Sequence, residues 1–271
     1  MNRLRSMKPL RYRTVFMSDV HLGFKGCQAE LRLDFLRSVE CETRSLVGDI
    51  LDCWSLRTGL DGPHAHTTVS RTILGKAKHD TEVIYVPGNH DELFRDHIGL
   101  VFGNLTIRQR DLHTTADGRR LLVLHGDEFD SVVKVSPLLA RIGARAYGFL
   151  LRANRYVNAI RRGLGYGYWS LAAFLKHRVK NAVQYIGNFE QAVAHAARRE
   201  GLDGLVCGHI HRPEVREVNG VLYCNDGDWV ESCSALVEHF DGRLELLHWA
   251  EYRAAMEDNA SEAAAALDNA A

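Results

Sequence analysis

The sequence predicts an α/β fold, because short apolar runs of strand length alternate with segments whose apolar residues recur every three to four positions. Five strand-like runs are each followed at once by residues that can bind a metal ion. Helical periodicity is clearest in "AELRLDFLRSV" and "NFEQAVAHAARRE". In layered α/β folds the functional site lies outside the carboxyl ends of the strands, so these five ends can converge although they are far apart in sequence. The sequence therefore predicts a site at one edge of the sheets.

The composition narrows the class of protein. With 271 residues and 46% hydrophobic content, the chain can form a sizeable core. Lys plus Arg equals Asp plus Glu, at 34 each, so no overall charge attracts nucleic acid, and we predict no nucleic-acid partner. The six cysteines form no CxxC pair, which argues against a thiolate zinc site and a secreted disulfide framework. No run reaches the roughly 18 apolar residues of a membrane-spanning helix, so we expect a cytoplasmic protein that is neither exported nor membrane-spanning.

The first strand-like run covers residues 12–17 and is followed by Asp19 and His21, within "FMSDVHLG". Side chains alternate along a strand, so Asp19 and His21 point the same way from its C-terminal end. A carboxylate and an imidazole that follow a buried strand are costly to bury without a partner. The pattern indicates a bound cation.

The four later strand ends carry the same kinds of ligand. They supply, in chain order, Asp49 and Asp52 in "GDILD", Asn89, His90 and Asp91 in "GNHDE", His125 and Asp127 in "HGDEFD", and His209 and His211 in "GHIH". A glycine stands beside the ligands of each motif, where the chain must turn sharply and the backbone can approach a metal. For the nine histidines outside these motifs, an ordinary hydrogen-bonded or exposed role is the simpler interpretation. Five motifs in one order are much harder to attribute to chance.

The motifs "DVH", "GDILD", "GNHD", "HGD" and "GHIH" together resemble the signature of the calcineurin-like metallophosphoesterases. The resemblance implies a four-layer αββα sandwich, in which two facing β-sheets are flanked by helices and two metal ions lie at one edge. Carried over motif by motif, it assigns the first ion to Asp19, His21, Asp49 and His211. It assigns the second ion to Asp49, Asn89, His125 and His209, so that Asp49 is shared.

The ligand types indicate which metals could bind. Carboxylate, imidazole and amide ligands without thiolates suit Mn²⁺, Fe or Zn²⁺, whereas Mg²⁺ prefers a set richer in oxygen, and Mn²⁺ is our first choice. Two such ions can share a water, lower its pKa and stabilise the charge that develops during displacement at phosphorus. The resemblance makes His90 the histidine that supports the leaving group, with Asp91 as the residue that orients its ring. Asp52 and Asp127 are expected to support the metal ligands.

Residues 131–188, which we call the basic segment, differ from the rest of the chain. They contain ten Lys or Arg residues and no Asp or Glu, together with aliphatic and aromatic residues in helical spacing. The stretch "RRGLGYGYW" interrupts them with three glycines and predicts a hinge. We predict a basic amphipathic helical cap inserted into a core of residues 11–130 and 189–252, with a disordered tail at 253–271. The uniform charge favours an anionic surface or substrate over a solvated face.

The motif order with this insertion resembles the UDP-2,3-diacylglucosamine pyrophosphatases of lipid A biosynthesis, and "GDWVESCSALVEH" resembles them too. The resemblance implies hydrolysis of a nucleotide-linked lipid to UMP and 2,3-diacylglucosamine 1-phosphate by a protein bound peripherally at the cytoplasmic surface of the inner membrane. Lys180 matches a lysine that meets the substrate, and Arg161 and Arg162 are expected to bind the anionic lipid. One position departs from the pattern, because the best-known branch has Arg where this chain has His90. The exact substrate therefore stays open.

Two other functions remain as alternatives. The first is a phosphodiesterase or phosphatase of the same fold that acts on a soluble nucleotide or phosphoprotein, which would not need a lipid-binding cap. The second is a non-catalytic metal-binding scaffold, since a fold does not fix a function. The complete set of seven ligands and the presence of His90 argue against the scaffold. The sequence sets no oligomeric state.

Overall fold

The computed structural model describes residues 9–24, 27–56, 68–69, 71–73, 75, 81–130, 158, 160–161, 163–164, 180–256 and 258. These residues form twelve strands: β1 (Leu10–Met17), β2 (Val39–Val47), β3 (Glu82–Val86), β4 (Val101–Phe102), β5 (Leu105–Ile107), β6 (Asp111–Thr114), β7 (Arg120–Val123), β8 (Gly204–Cys207), β9 (Glu214–Val218), β10 (Val221–Asn225), β11 (Ser234–Glu238) and β12 (Leu244–His248). The helices include α1 (Ala29–Ser38), α2 (Cys53–Leu56) and α3 (Lys180–Arg199), a helical stretch at 249–256, and 3-10 helices at Glu92–His97 and Asp127–Phe129.

The strands form two sheets. The seven-stranded sheet has the order β12-β11-β1-β2-β3-β5-β4, and the five-stranded sheet has the order β6-β7-β8-β10-β9. In the first sheet β1, β2 and β3 are parallel, with Phe16 opposite Ser45 and Ser45 opposite Ile84. In the second sheet β7, β8 and β10 are parallel. The parallel strands of each sheet therefore end at the same edge.

The alternation of side chains along the strands builds the layers. On β1, Val15 and Met17 belong to a buried cluster with Phe35 of α1, which covers one face of the seven-stranded sheet. Phe16 belongs to a second cluster, which lies between the two sheets and includes Leu121 of β7. A third cluster joins the five-stranded sheet to α3. The order helix, sheet, sheet, helix confirms the predicted αββα sandwich.

A buried ion pair also joins the two sheets. Glu238 of β11 is fully buried, and its Oε1 accepts a hydrogen bond of 2.7 Å from the Arg13 guanidinium of β1. Its Oε2 lies 2.7 Å from Nε2 of His113, which belongs to β6 in the other sheet. The backbone N–H of Ala116 also donates to Oε1, at 2.7 Å. We call Arg13, His113 and Glu238 the inter-sheet cluster.

Two of the predicted segments lie largely outside the described residues. Of the basic segment, the structure describes residues 158, 160–161, 163–164 and 180–188, so the predicted cap stays a prediction. The expected disordered tail at 253–271 is wrong at its start, because residues 249–256 are helical. Arg253 lies 2.9 Å from Asp34 and fixes this helix to α1. In the part of the chain that the structure describes, no helix has the length and apolar character needed to cross a membrane.

Candidate metal centre

The predicted ligands lie directly beyond the ends of five parallel strands. Asp19 and His21 follow β1, and Asp49 follows β2. Asn89 follows β3, His125 follows β7, and His209 and His211 follow β8. Because β1, β2 and β3 are neighbours in one sheet and β7 and β8 in the other, the facing sheets bring these ends together. The site is thus formed by the packing of the two sheets.

The ligand atoms of five predicted residues lie within reach of common ions. Asp19, His21 and His211 offer atoms that all lie within 4.8 Å of one another, and so do Asp19, Asp49 and His125. Nε2 of His211 lies 2.9 Å from Asp19, and Nε2 of His125 lies 3.3 Å from Asp49. Nε2 of His21 lies 3.7 Å from Asp19 and 3.9 Å from Asp49. A third group of this kind contains His21, Asp49 and His90, so three overlapping groups of described residues could hold a metal ion.

Several of these atoms are buried without a hydrogen bond. Within the described residues, Oδ1 of Asp19, Nε2 of His21, Oδ1 of Asn89 and Nε2 of His125 have no hydrogen-bond partner. An unsatisfied buried polar atom costs about 1–3 kcal/mol, and proteins pair nearly all of them. Here carboxylate, amide and imidazole atoms converge without partners, which is the donor set of a transition-metal site. The residues present therefore fit a metal site, although among the described residues His209, predicted for the second ion, belongs to none of these groups of ligand atoms.

The backbone at the ligands is unusual. Among the described residues, seven non-glycine residues have a positive φ, and five of them are predicted ligands: Asp19 (48°), His21 (49°), Asp49 (54°), His209 (67°) and His211 (52°). This left-handed region is uncommon for residues with a Cβ, although Asp and His enter it more often than most. Strain of this kind concentrates at functional sites, where the surrounding structure holds it in place. The fold thus fixes the ligand directions through the backbone.

The motif glycines leave room for the ligands. A Cβ on Gly88 would collide with the Asp49 carboxylate and the His125 ring, and a Cβ on Gly208 would collide with Asp19. A Cβ on Gly48 would collide with the His125 ring. The bare backbone at these three positions lets ligands from different strands approach one another.

Charge coupling with nearby histidines keeps the two carboxylate ligands ionised. Burial alone would raise the pKa of Asp19, but His211 and His21 lower it well below its ordinary value. Burial likewise opposes ionisation of Asp49, yet the neighbouring His125 lowers the pKa of that carboxyl. Conversely, Asp49 raises the pKa of His125 well above its ordinary value, although burial would lower it. The two carboxylates remain anionic, as metal binding requires.

His90 lies beside the metal ligands and contacts a carboxylate. Its Nδ1 is 3.3 Å from Oδ1 of Asp52, and its ring packs edge-on against the His21 ring with centroids 4.5 Å apart. The Trp54 ring lies on its other side, with centroids 4.2 Å apart. Burial would lower the pKa of His90, but Asp52 and Asp49 raise it above its ordinary value. The pKa of Asp52 falls to about 2 despite its burial, owing to the neighbouring His90 imidazole and to hydrogen bonds from Ser55.

The structure corrects the role that we expected for Asp91. Its carboxylate does not orient His90, because it accepts hydrogen bonds from the backbone N–H groups of Ile50, at 2.8 Å, and Gly88, and from the Tyr85 hydroxyl. Asp91 is fully buried and joins the loop after β2 to the loop after β3. Asp52, expected only to support the metal ligands, is the carboxylate that faces His90. Asp127, given the same supporting role, binds the Arg95 guanidinium through both oxygens, at 2.7 and 2.8 Å.

The sequence analysis missed a support behind Asp19. The Ser18 hydroxyl lies 2.6 Å from Oδ2 of Asp19 and 2.6 Å from Oδ1 of Asp226. Burial and the neighbouring Asp19 carboxylate raise the pKa of Asp226 well above its ordinary value, and the Ser18 hydroxyl lies between the two carboxyl groups. The aspartate in "CND" after β10 was the available clue, because it too is a ligand-type residue at a strand end.

The three predicted substrate-binding residues differ in how much of each the structure describes. Arg161 is partly buried and lies in a helical stretch. Arg162 lies outside the described residues, and Lys180 is the first residue of α3, although its side chain is not described. The roles of these three residues remain predictions.

Comparisons with known proteins show the family to which the chain belongs. A family model described as calcineurin-like phosphoesterase matches residues 12–213. The UDP-2,3-diacylglucosamine hydrolase of Xanthomonas oryzae pv. oryzae is 28% identical over 246 residues, which are 84% of this chain and 96% of that protein. The hydrolase of the same name from Klebsiella pneumoniae is 23% identical over 225 residues, 76% of this chain and 84% of that protein.

Solved structures with a related arrangement of chain include vacuolar protein sorting 29 from Cryptosporidium parvum and a phosphoesterase from E. coli. The first aligns with a TM-score of 0.43 at 14% identity over 86% of this chain and 94% of that one. The second aligns with a TM-score of 0.40 at 16% identity over 87% of this chain and 98% of that one. The family match over residues 12–213 covers all seven predicted metal ligands.

Proposed function

The chain belongs to the calcineurin-like phosphoesterases and is a metal-dependent phosphoester hydrolase, and from this premise we propose that it hydrolyses the pyrophosphate of UDP-2,3-diacylglucosamine. The products would be UMP and 2,3-diacylglucosamine 1-phosphate, an intermediate of lipid A biosynthesis. This choice of substrate is supported by the alignment with hydrolases of that name over 76 to 84% of the chain. The convergent buried atoms without hydrogen bonds carry the two-metal chemistry.

In this proposal seven residues hold two divalent ions, for which Mn²⁺ is our first choice and Fe or Zn²⁺ the alternatives. One ion would be held by Asp19, His21, Asp49 and His211, and the other by Asp49, Asn89, His125 and His209. When bound, such a pair supplies a water of lowered pKa and neutralises charge on the phosphoryl oxygens. The left-handed backbone at five of these residues holds their side chains in position before any ion arrives.

His90 has a separate role from the ligands. Its Nδ1 faces Asp52, so its Nε2 is the atom that can donate a proton to the oxygen of the departing group. Asp52 keeps the ring oriented, and Ser55 in turn holds Asp52 through its backbone N–H, at 2.8 Å, and its hydroxyl, at 2.6 Å. The proton donor is thus supported by α2 as well as by its contact with the His21 ring.

The basic segment would bind the lipid at the cytoplasmic surface of the inner membrane. Its ten positive charges have no acidic neighbour within the segment, and each basic residue near an anionic surface contributes about 1 kcal/mol of binding. Arg161, Arg162 and Lys180 are the residues proposed to contact the substrate. The protein would then be a peripheral membrane enzyme.

The decisive experiment incubates the protein with UDP-2,3-diacylglucosamine in mixed micelles and Mn²⁺, and identifies products by mass spectrometry. We expect UMP and the lipid 1-phosphate. Bis(p-nitrophenyl) phosphate serves as a soluble comparison, because it needs the metals and no lipid site. Replacing Arg161 and Arg162 together by Glu should raise KM for the lipid substrate at least tenfold and leave turnover of the soluble diester nearly unchanged.

Other outcomes would select the alternatives. Cleavage of the soluble diester without cleavage of the lipid pyrophosphate would indicate a phosphodiesterase of soluble substrates. Equal loss of both activities in the double Glu variant would remove the basic segment from lipid binding. Tight binding of metal with no hydrolysis of either substrate would indicate the non-catalytic metal-binding scaffold.

A further inference from the structure

One predicted ligand, His209, has a contact that the two-metal assignment does not explain. Its Nε2 lies 2.8 Å from Oδ1 of Asp130, and the Tyr185 hydroxyl donates to the same carboxylate oxygen at 2.7 Å. Asp130 directly follows the 3-10 helix at Asp127–Phe129, and Tyr185 lies in the second turn of α3. Three separate segments of the chain therefore meet at one carboxylate oxygen, Oδ1 of Asp130.

We propose that Asp130 is a positioning residue for the metal ligand His209, and that Tyr185 holds Asp130 in place. The inference rests on the proposed function in one respect, since it takes His209 to be a ligand of the second ion. With Nε2 bonded to Asp130, Nδ1 is the ring nitrogen that remains to face an ion. The carboxylate fixes the tautomer and rotation of the ring and makes the imidazole more basic, which strengthens a metal bond.

The surroundings of His209 support a ring with one fixed orientation. Its backbone N–H donates to Oδ2 of Asp19 at 2.8 Å, so the residue is anchored to a ligand assigned to the first ion. Its ring lies against His125, with centroids 5.1 Å apart, and against Phe189 of α3, with centroids 6.0 Å apart. These contacts limit the ring from two sides, and Asp130 supplies the polar contact that selects the nitrogen.

Asp130 and Tyr185 lie near the two ends of the basic segment in the sequence. Asp130 immediately precedes the basic segment, and Tyr185 lies close to its end. The carboxylate of Asp130 therefore joins the two ends of that segment to a metal ligand. α3 also contacts the loop after His211, since Glu190 lies 3.7 Å from Arg212 and forms an ion pair with Arg216. These contacts hold α3 against the segments that carry Asp130 and the residues after His211.

The test compares Asp130→Ala, Asp130→Asn and Tyr185→Phe with the control Glu128→Gln. Glu128 is a carboxylate two positions away that pairs with Arg110, at 2.7 Å, and has no contact with His209 in the described residues. Each protein is dialysed against buffers of graded free Mn²⁺, after which bound metal and Tm are measured. The half-saturating Mn²⁺ for hydrolysis of bis(p-nitrophenyl) phosphate and kcat at saturating Mn²⁺ are measured separately.

For Asp130→Ala we expect one of two ions to need about 10- to 100-fold more free Mn²⁺, in the range seen when a support of a metal ligand is removed. At saturating Mn²⁺, kcat should return to near the wild-type value. Asp130→Asn, which keeps an acceptor oxygen, and Tyr185→Phe should shift the affinity less, and Glu128→Gln should not shift it. The metal-free Tm should be similar in all five proteins.

Specific results would overturn the inference. If Asp130→Ala binds both ions as tightly as the wild type, Asp130 does not position His209. If it weakens both ions equally, or if Glu128→Gln weakens them as much, the effect is a general one on the fold. These failures leave a wild-type protein with two ions and phosphodiesterase activity. A wild type with fewer than two ions would instead reject the proposed two-metal function itself.

Discussion

The inter-sheet cluster and the candidate metal centre are built from the same types of residue but differ in how their polar atoms are satisfied. In the inter-sheet cluster, both carboxylate oxygens of buried Glu238 have partners, in Arg13, His113 and the Ala116 amide. In the metal centre, Asp19 and His125 each keep a buried atom with no hydrogen bond among the described residues. One cluster is complete as folded, and the other is complete only with a ligand.

The backbone shows the same contrast. None of the three residues of the inter-sheet cluster has a positive φ, whereas five of the predicted metal ligands do. A buried charged group whose polar atoms are all hydrogen-bonded, on an unstrained backbone, stabilises the fold. A buried charged group with polar atoms that lack hydrogen bonds, on a strained backbone, indicates a binding site. Burial and residue type alone would not separate the two clusters. The following variants test this distinction.

The largest effect is expected for Asp49→Ala. Asp49 is the one ligand assigned to both ions, so its removal should abolish hydrolysis and lower the metal content below one ion per chain. Elemental analysis after dialysis measures the metal, and the diester assay measures hydrolysis. Two tightly held ions in this variant would show that Asp49 is not shared and that the ligand assignment is mistaken.

The reciprocal variant is Glu238→Ala, which removes a buried charge from Arg13 and His113. Breaking a buried ion pair costs about 3–5 kcal/mol, and we expect about 3 because Arg13 is partly exposed and can be hydrated. Urea unfolding of the metal-free protein measures this loss. Metal content should stay at two ions. A loss of metal with unchanged stability would mean that the cluster serves the site and not the packing of the sheets.

The pH dependence of stability sharpens this result. Burial alone would raise the pKa of Glu238, but the hydrogen bonds from His113 and from the Ala116 amide lower it below the ordinary value of 4.5. A carboxyl with a lowered pKa in the folded state stabilises the fold above its unfolded pKa and loses this contribution as pH falls through its folded pKa. The difference in unfolding free energy between the wild type and Glu238→Gln should therefore be full at pH 6 and shrink below about pH 4.5.

A smaller effect is expected for His90→Ala, which tests a residue beside the ligands. The variant should retain both ions, while kcat for a lipid or diester substrate falls about 100-fold, as is typical when a general acid is removed. Asp52→Asn should lower kcat less, because it loosens the ring without removing the proton donor. An unchanged kcat in His90→Ala would exclude this histidine from the reaction.

Much of the site could be predicted from the sequence, since each motif follows an apolar run and the parallel strands of each sheet end at one edge. The confusion of Asp91 with Asp52 shows the limit of that approach. Both carboxylates lie within a few residues of the site, and only the packing of the loop after β2 on the loop after β3 decides which faces His90. Chain spacing cannot supply that choice, because it arises between segments 38 residues or more apart.

The contacts of His209 were harder still to predict. Asp130 is the last residue of "HGDEFD", but the motif assigns it no role, and Tyr185 belongs to no motif. The two are 55 residues apart and meet only because α3 packs on the five-stranded sheet. The helical start of the tail was missed for a similar reason. Alanine-rich sequence after 253 has no clear apolar face of its own, and the contact of Arg253 with Asp34 fixes its first turn.

The left-handed ligands also affect how the protein should be handled in the laboratory. Left-handed backbone costs about 1–2 kcal/mol per residue with a Cβ, so five such residues could offset a large part of the roughly 5–15 kcal/mol by which a domain is stable. Bound ions restore stability by mass action. Chelators used during purification, or a long wash on a metal-affinity resin, are therefore expected to shorten the storage life of the enzyme and promote its precipitation, although no contact in the hydrophobic core has changed.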